Sequence, residues 1–248
     1  MSKFFFRPRI ARLIDLADVH LKGCNIVLPL GSGNFQLLEE EKQQDLFNYS
    51  THMSSEFNLP ALAVDRRLKE QLLKLSNDFP LIFGDNFIKA LACAYIKKWL
   101  GVRAIKKIII VGETEYFMNF IEHIARFGRP VSIQNYNPTH YEILAYRLLY
   151  EKGSAVSTSY FNPASWEAGD FIIMLDPDQN QMAVHAPGSF CLKLANDYAG
   201  LAPELENSLM QSGMEANMYT LAPIMETYLE LQAGNITLNA EQIKPEEI

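Results

Sequence analysis

The sequence predicts an α/β chain organised around a doubly wound parallel sheet, and three observations predict it. Ile108 to Val111 is an unbroken β-branched run, which suits a strand buried on both faces of a parallel sheet. Phe117, Phe120, Ile121, Ile124 and Ala125 then recur at helical spacing before a second apolar run, Val131 to Asn135. Parallel strands need such a crossover, which is expected to be right-handed. Short apolar runs go on alternating with amphipathic segments from 107 to 196.

The 248 residues make one large α/β domain or two small ones. The expected division is an N-terminal α/β substrate or interaction portion over 1–101, a parallel-sheet domain over 102–235, and a polar, acidic tail over 236–248. Hydrophobic residues at 48% and charged residues at 21% mark an ordinary soluble protein. Lys and Arg number 22 against 29 Asp and Glu, so nucleic acid is not an expected partner. No apolar span approaches the length of a membrane helix, and the FFF run near the start is flanked by basic residues and Pro8. Cys24, Cys93 and Cys191 are odd in number, far apart and set in apolar surroundings, with no CxxC pair to suggest zinc or redox chemistry. They read as buried free thiols, and the chain is expected in the cytoplasm.

In chain order, Ile10, Leu13, Ile14, Leu16, Ala17 and Val19 suggest a first helix over Phe6 to Lys22, with a strand from Asn25 to Leu30 after it. That strand runs into Gly31-Ser32-Gly33-Asn34, which is either an anion-holding loop at a helix start or an ordinary turn. Leu37 to Phe47 is an acidic exposed helix, and the polar segment to Asn58 reads as a connector. Leu59 to Val64 is a short strand, and Asp65 is a good N-cap for a helix carrying Leu68, Leu72, Leu73 and Leu75 on one side. Pro80 to Phe83 is the next strand. Gly84-Asp85-Asn86 turns it into a helix reaching Leu100, with Ile88, Leu91, Ala92, Tyr95, Ile96 and Trp99 as its apolar stripe.

The central strand ends at Gly112, and the following helix has Thr114 as N-cap and Gly128 just beyond its end. A helix over Pro138 to Tyr150 is expected to bury Ile143, Leu144, Tyr146, Leu148 and Leu149, and Gly153 ends it. Ala155 to Ser159, Asp170 to Leu175 and Phe190 to Ala195 are the remaining strands, with Trp166 packed under the sheet from a short helix. Helices over Leu201 to Met210 and Tyr219 to Gln232 close the chain.

The turn after the central strand is where a Rossmann-type fold carries G-x-G-x-x-G, because glycines let the backbone approach a pyrophosphate at a helix N-terminus. Here only Gly112 survives, followed by Glu113, Thr114, Glu115, Tyr116 and Phe117. The two glutamates read either as ligands for a ribose hydroxyl or a cationic group, or as favourable charge at a helix start. Asn135 falls where the second strand meets the ribose, as an amide in place of the usual acid. Asp85, Asn86, Asp176, Asp178 and His185 are expected to line the crevice beyond the carboxyl ends of the strands. Asp85, Asn86 and His185 are the catalytic candidates. His185 is otherwise a plain loop histidine, and no histidine sits in a metal-ligand or triad pattern.

The VGET turn and the SIQNYNP strand end resemble the shikimate-dehydrogenase-like branch of Rossmann domains, whose second strand ends in Asn-Arg-Thr. Tyr136 stands where the arginine of the NADP-using members meets the extra phosphate. FGDNFIKALACAYIKK and TLAPIMETYLEL resemble stretches of long-chain acyl carrier protein reductases. The shikimate dehydrogenases' catalytic lysine and aspartate find no motif-matched residues here, and Cys93 is the nearest to the reductases' nucleophile. The resemblance implies an NAD(P)-dependent oxidoreductase acting on a small carbonyl or acyl substrate. Gly112, Glu113, Thr114, Asn135, Tyr136, Asp176 and Pro177 would then face NAD or NADP, with no metal. The alternative is a binding or regulatory module that keeps the scaffold and has lost the dinucleotide. A small-molecule ligand and a homo-oligomer are the expected partners.

Overall fold

The computed structural model describes residues 7–16, 21–75, 78–102, 104–112, 118–175, 188–194, 210–211 and 218–233. Backbone contacts divide them into two units. The first holds the described residues up to Phe87 together with the last helix, and the second runs from Ile88 to Leu194.

The first unit opens with an antiparallel hairpin, β1 (Arg9–Leu16) and β2 (Leu21–Val27), where a helix was expected. Their register runs from Arg9 opposite Val27 to Leu16 opposite Leu21, with an irregularity between Ile10 and Arg12. Leu13 is 77% exposed, so the apolar residues do not share one helical face. Cross-strand pairing of β-branched residues decides the conformation instead. The strand expected from Asn25 therefore begins at Leu21 and ends at Val27.

The glycine loop opens α1 (Ser32–Gln36) in extended backbone at Gly31, and a Cβ at Gly31 or Gly33 would meet nothing within 4 Å. No close approach requires a glycine at either position. The next helix, α2 (Glu40–Glu56), runs through the stretch expected to be a connector. Its polar residues are satisfied within the helix: the Ser50, Ser54 and Ser55 hydroxyls each donate to the carbonyl four residues back.

Two short parallel strands, β3 (Leu62–Ala63) and β4 (Leu81–Ile82), flank a 3-10 turn and α3 (Lys69–Leu72). Asp65 caps that turn, its carboxylate accepting from Arg67 N at 2.9 Å. Phe35, Phe47, Val64, Leu72, Leu75 and Phe83 form the core of this unit. Gly84 then takes φ 80° before α4 (Asp85–Val102). It touches the chain's last helix, and a Cβ there would lie 2.5 Å from Pro223 N.

The second unit is built on a five-stranded, all-parallel sheet. In chain order come β5 (Ile108–Val111), α5 (Met118–Ala125), β6 (Val131–Asn135), α6 (Glu142–Lys152), β7 (Val156–Tyr160), β8 (Phe171–Met174) and β9 (Phe190–Lys193). The spatial order is β7-β6-β5-β8-β9. Every residue of β5, β6 and β8 is buried, as the unbroken apolar runs require. Gly128 and Gly153 take φ 67° and 64° just past α5 and α6, the left-handed geometry that ends a helix.

Trp166 is 4% exposed and packs with Ile109, Val111, Ile172 and Met174 against the sheet. In α6 the buried side is Leu144, Ala145 and Leu148, while Ile143 is 82% and Tyr146 60% exposed. The helix is apolar on opposite sides, so spacing alone does not pick the side that faces the sheet. The last helix, α7 (Met218–Ala233), returns the chain to the first unit, where it packs on β3, β4 and the 3-10 turn.

Candidate functional site

In the second unit the chain moves outward from β5 through β6 to β7, then resumes on the other side with β8 and β9. The switch point lies between β5 and β8, and ligands of such sheets bind beyond the carboxyl ends of the strands there. Strand order and switch point together define a Rossmann-like α/β protein.

Gly112 ends β5 at the switch point with φ 111°, and its N–H donates to the Gln134 carbonyl at 3.0 Å. A side chain would strain that backbone, so the surviving glycine has a structural reason to be there. Asn135 ends β6 in register with Tyr160. It is fully buried, and among the described residues neither its Oδ1 nor its Nδ2 has a hydrogen-bond partner. Its neighbour Gln134, on the opposite face of the strand, is fully engaged. Gln134 Oε1 accepts from Trp166 Nε1 at 3.0 Å and Asn162 N at 3.3 Å, and its Nε2 donates to Ser165 Oγ at 3.1 Å. A buried amide without partners costs about 1–3 kcal/mol. Tyr136, next in the chain, is 64% exposed. Glu113, Thr114, Asp176, Pro177, Asp178 and His185 lie outside the described residues.

Asp85 and Asn86 belong to the first unit. One Asp85 oxygen accepts from Arg66 Nη1 at 2.8 Å, and the other accepts from Lys69 Nζ. The three side chains are 20%, 17% and 9% exposed, so this is a half-buried cluster rather than a surface pair. Arg66 Nη1 also donates to the Phe83 carbonyl at 2.8 Å, which ties the cluster to the turn before α4. Asn86 has a different task. Its N–H and that of Phe87 donate to Glu226 Oε2 at 2.7 and 3.0 Å, and its Nδ2 donates to Oε1 at 3.2 Å. Glu226, 5% exposed, thus closes the first turn of α4, where a carboxylate suits the positive end of the helix.

Sequence reasoning missed Arg66, Lys69 and Glu226. The one local signal was Lys69 in helical register with Leu72 on the buried side of α3. Its partner Asp85 is 16 residues away, a separation without periodicity to read. Cys93 is buried within α4, and burial pushes its thiol up to about 11, which marks a packing residue.

No protein-family model and no curated protein matches the sequence. Among solved structures the chain is similar to an L-tryptophan dehydrogenase from Nostoc punctiforme, at 12% identity and a TM-score of 0.41, over 94% of this chain and 69% of that one. It is also similar to a chorismate mutase/shikimate 5-dehydrogenase fusion protein from Clostridium acetobutylicum, at 13% identity and a TM-score of 0.31, over 64% and 62% of the two chains. The fold assignment rests on the strand order itself.

Proposed function

We propose that the chain is a dinucleotide-dependent oxidoreductase acting on a small carbonyl or acyl compound. The observation that carries the reading is Asn135, a buried amide with no partner among the described residues, at the carboxyl end of β6, where a Rossmann-like sheet meets the adenosine ribose. Gly112 fits the close backbone approach a pyrophosphate needs, and Tyr136 borders the ribose position. The dinucleotide, when bound, supplies or accepts a hydride.

Isothermal titration with NAD, NADH, NADP and NADPH tests the reading. Heat is expected for at least one of them at high micromolar concentration, and none for all four would sink it.

A second reading is a Rossmann-like module that no longer binds a dinucleotide. It is favoured by the replacement of the second and third fingerprint glycines by Thr114 and Phe117. In that case the same titration is silent.

A further inference from the structure

The parallel sheet of the second unit has β7 as one of its edges. Val156 to Tyr160 contain no charge, no proline and no break in register, the devices that keep an edge strand from pairing. Val131 N donates to the Ala155 carbonyl, so by alternation Ser157 and Ser159 also turn their backbone groups toward β6. Val156, Thr158 and Tyr160 turn theirs outward, where no strand meets them among the described residues. Tyr160 is 68% exposed, so solvent reaches this edge. The helix beside it is apolar on the same side. Right-handed crossovers put α5 and α6 on one face of the sheet, with α5 on the inner side of α6 and the β7 edge on the outer. Arg147 of α6 points inward, to Glu122 on α5. Leu149 stands about 200° round the helix from Arg147 and so faces the edge, with Tyr146 and Glu142 one and two turns before it. Leu149 is 48% and Tyr146 60% exposed.

We propose that β7 and α6 form an interface with a second copy of this chain, related by a two-fold axis that passes through Thr158 perpendicular to the sheet. The outward backbone groups fix that register. About the axis Thr158 meets its own copy and Val156 meets Tyr160, each pair exchanging both backbone hydrogen bonds, and no outward group of the strand is left over. The exposed Tyr160 ring then lies beside Val156 of the second copy, an aromatic and β-branched pair. The same axis keeps α6 and its copy on one face of the joined sheet. A crossover helix lies over the two strands it joins, so the two helix axes stand about two strand spacings apart, roughly 10 Å, the distance at which helices pack. They run antiparallel, with Tyr146 and Leu149 of each against the other. Charge agrees with this arrangement. Glu142 lies in the first turn of α6 and Lys152 in the last, so each glutamate comes to the lysine end of the other helix. Lys152 holds Glu122 at 2.7 Å, and its ammonium has three protons to share. A two-fold contact uses the same edge of both chains, so assembly closes at two copies.

Sedimentation velocity of the full chain over a dilution series down from tens of micromolar tests this. A species of twice the chain mass is expected, dissociating on dilution. Thr158→Pro removes an outward N–H at the axis without touching a bond to β6, and Leu149→Glu puts a charge into the helix contact. Each should weaken dimerisation on the order of tenfold or more while circular dichroism shows the chain still folded. Thr158→Cys sets two thiols opposite each other, with Cα atoms about 5.5 Å apart, so mild oxidation should join two chains covalently. Val156→Cys should not be joined in this way, because its opposite is residue 160, and the parent with its own three cysteines is the control. The cysteine variant decides where proline unfolds the chain. A monomer at every concentration overturns the proposal. So does a dimer that survives Leu149→Glu and whose Thr158→Cys variant is not joined, since its contact then lies on another surface.

Discussion

Asn135 and Gln134 are adjacent amides with opposite fates. Both are buried, at 0% and 2% exposure, yet Gln134 satisfies three groups and Asn135 none. An unmet buried amide subtracts from stability, so its presence needs an offsetting use. Replacing it with leucine, a side chain of similar branching, removes the unmet polar atoms. Asn135→Leu is expected to raise the urea unfolding free energy by about 1 kcal/mol while weakening dinucleotide binding. Equal affinity in the variant and the natural chain would mean that the amide meets no ligand.

Among the elements, α4 carries the most varied constraints. Its N-terminus joins the cluster around Asp85 and the Glu226 cap, and its body buries Ile88, Leu91, Ala92 and Ile96. Two of the chain's glycines, one before α4 and one within its last turn, make opposite predictions. Gly84 has φ 80° and no room beside α7, so Gly84→Ala should lower stability by several kcal/mol or prevent folding of the first unit. Gly101 lies inside the helix, and a Cβ there meets nothing within 4 Å, so Gly101→Ala should raise stability by roughly 0.5–1 kcal/mol. Thermal unfolding of the two variants beside the parent separates these outcomes.

At the scale of the whole molecule, the first unit is assembled from both ends of the chain. Glu226 reaches Asn86 across 140 residues, and α7 packs on β3 and β4. Glu226→Ala would leave the Asn86 and Phe87 amides without their acceptor in a buried setting. Stability is expected to fall by about 1–3 kcal/mol. Amide hydrogen exchange should speed up first in the opening turn of α4, because the loss is local before it is global. Unchanged protection at Asn86 and Phe87 would show that the cap contributes nothing.

The sequence by itself determined the parallel sheet and its helices. Strands buried on both faces write their burial as unbroken runs, and the glycines at 112, 128 and 153 mark ends that need positive φ. It also singled out Asn135, because the end of a second strand can be counted from a first. Tertiary structure alone decided the N-terminal hairpin, the inward face of α6, and the joining of Lys69 to Asp85 and of Glu226 to α4. The reason is the same in each case. A hairpin is fixed by partners across it, a helix apolar on opposite sides takes its orientation from the sheet it meets, and an ion pair between residues far apart leaves no period in the chain.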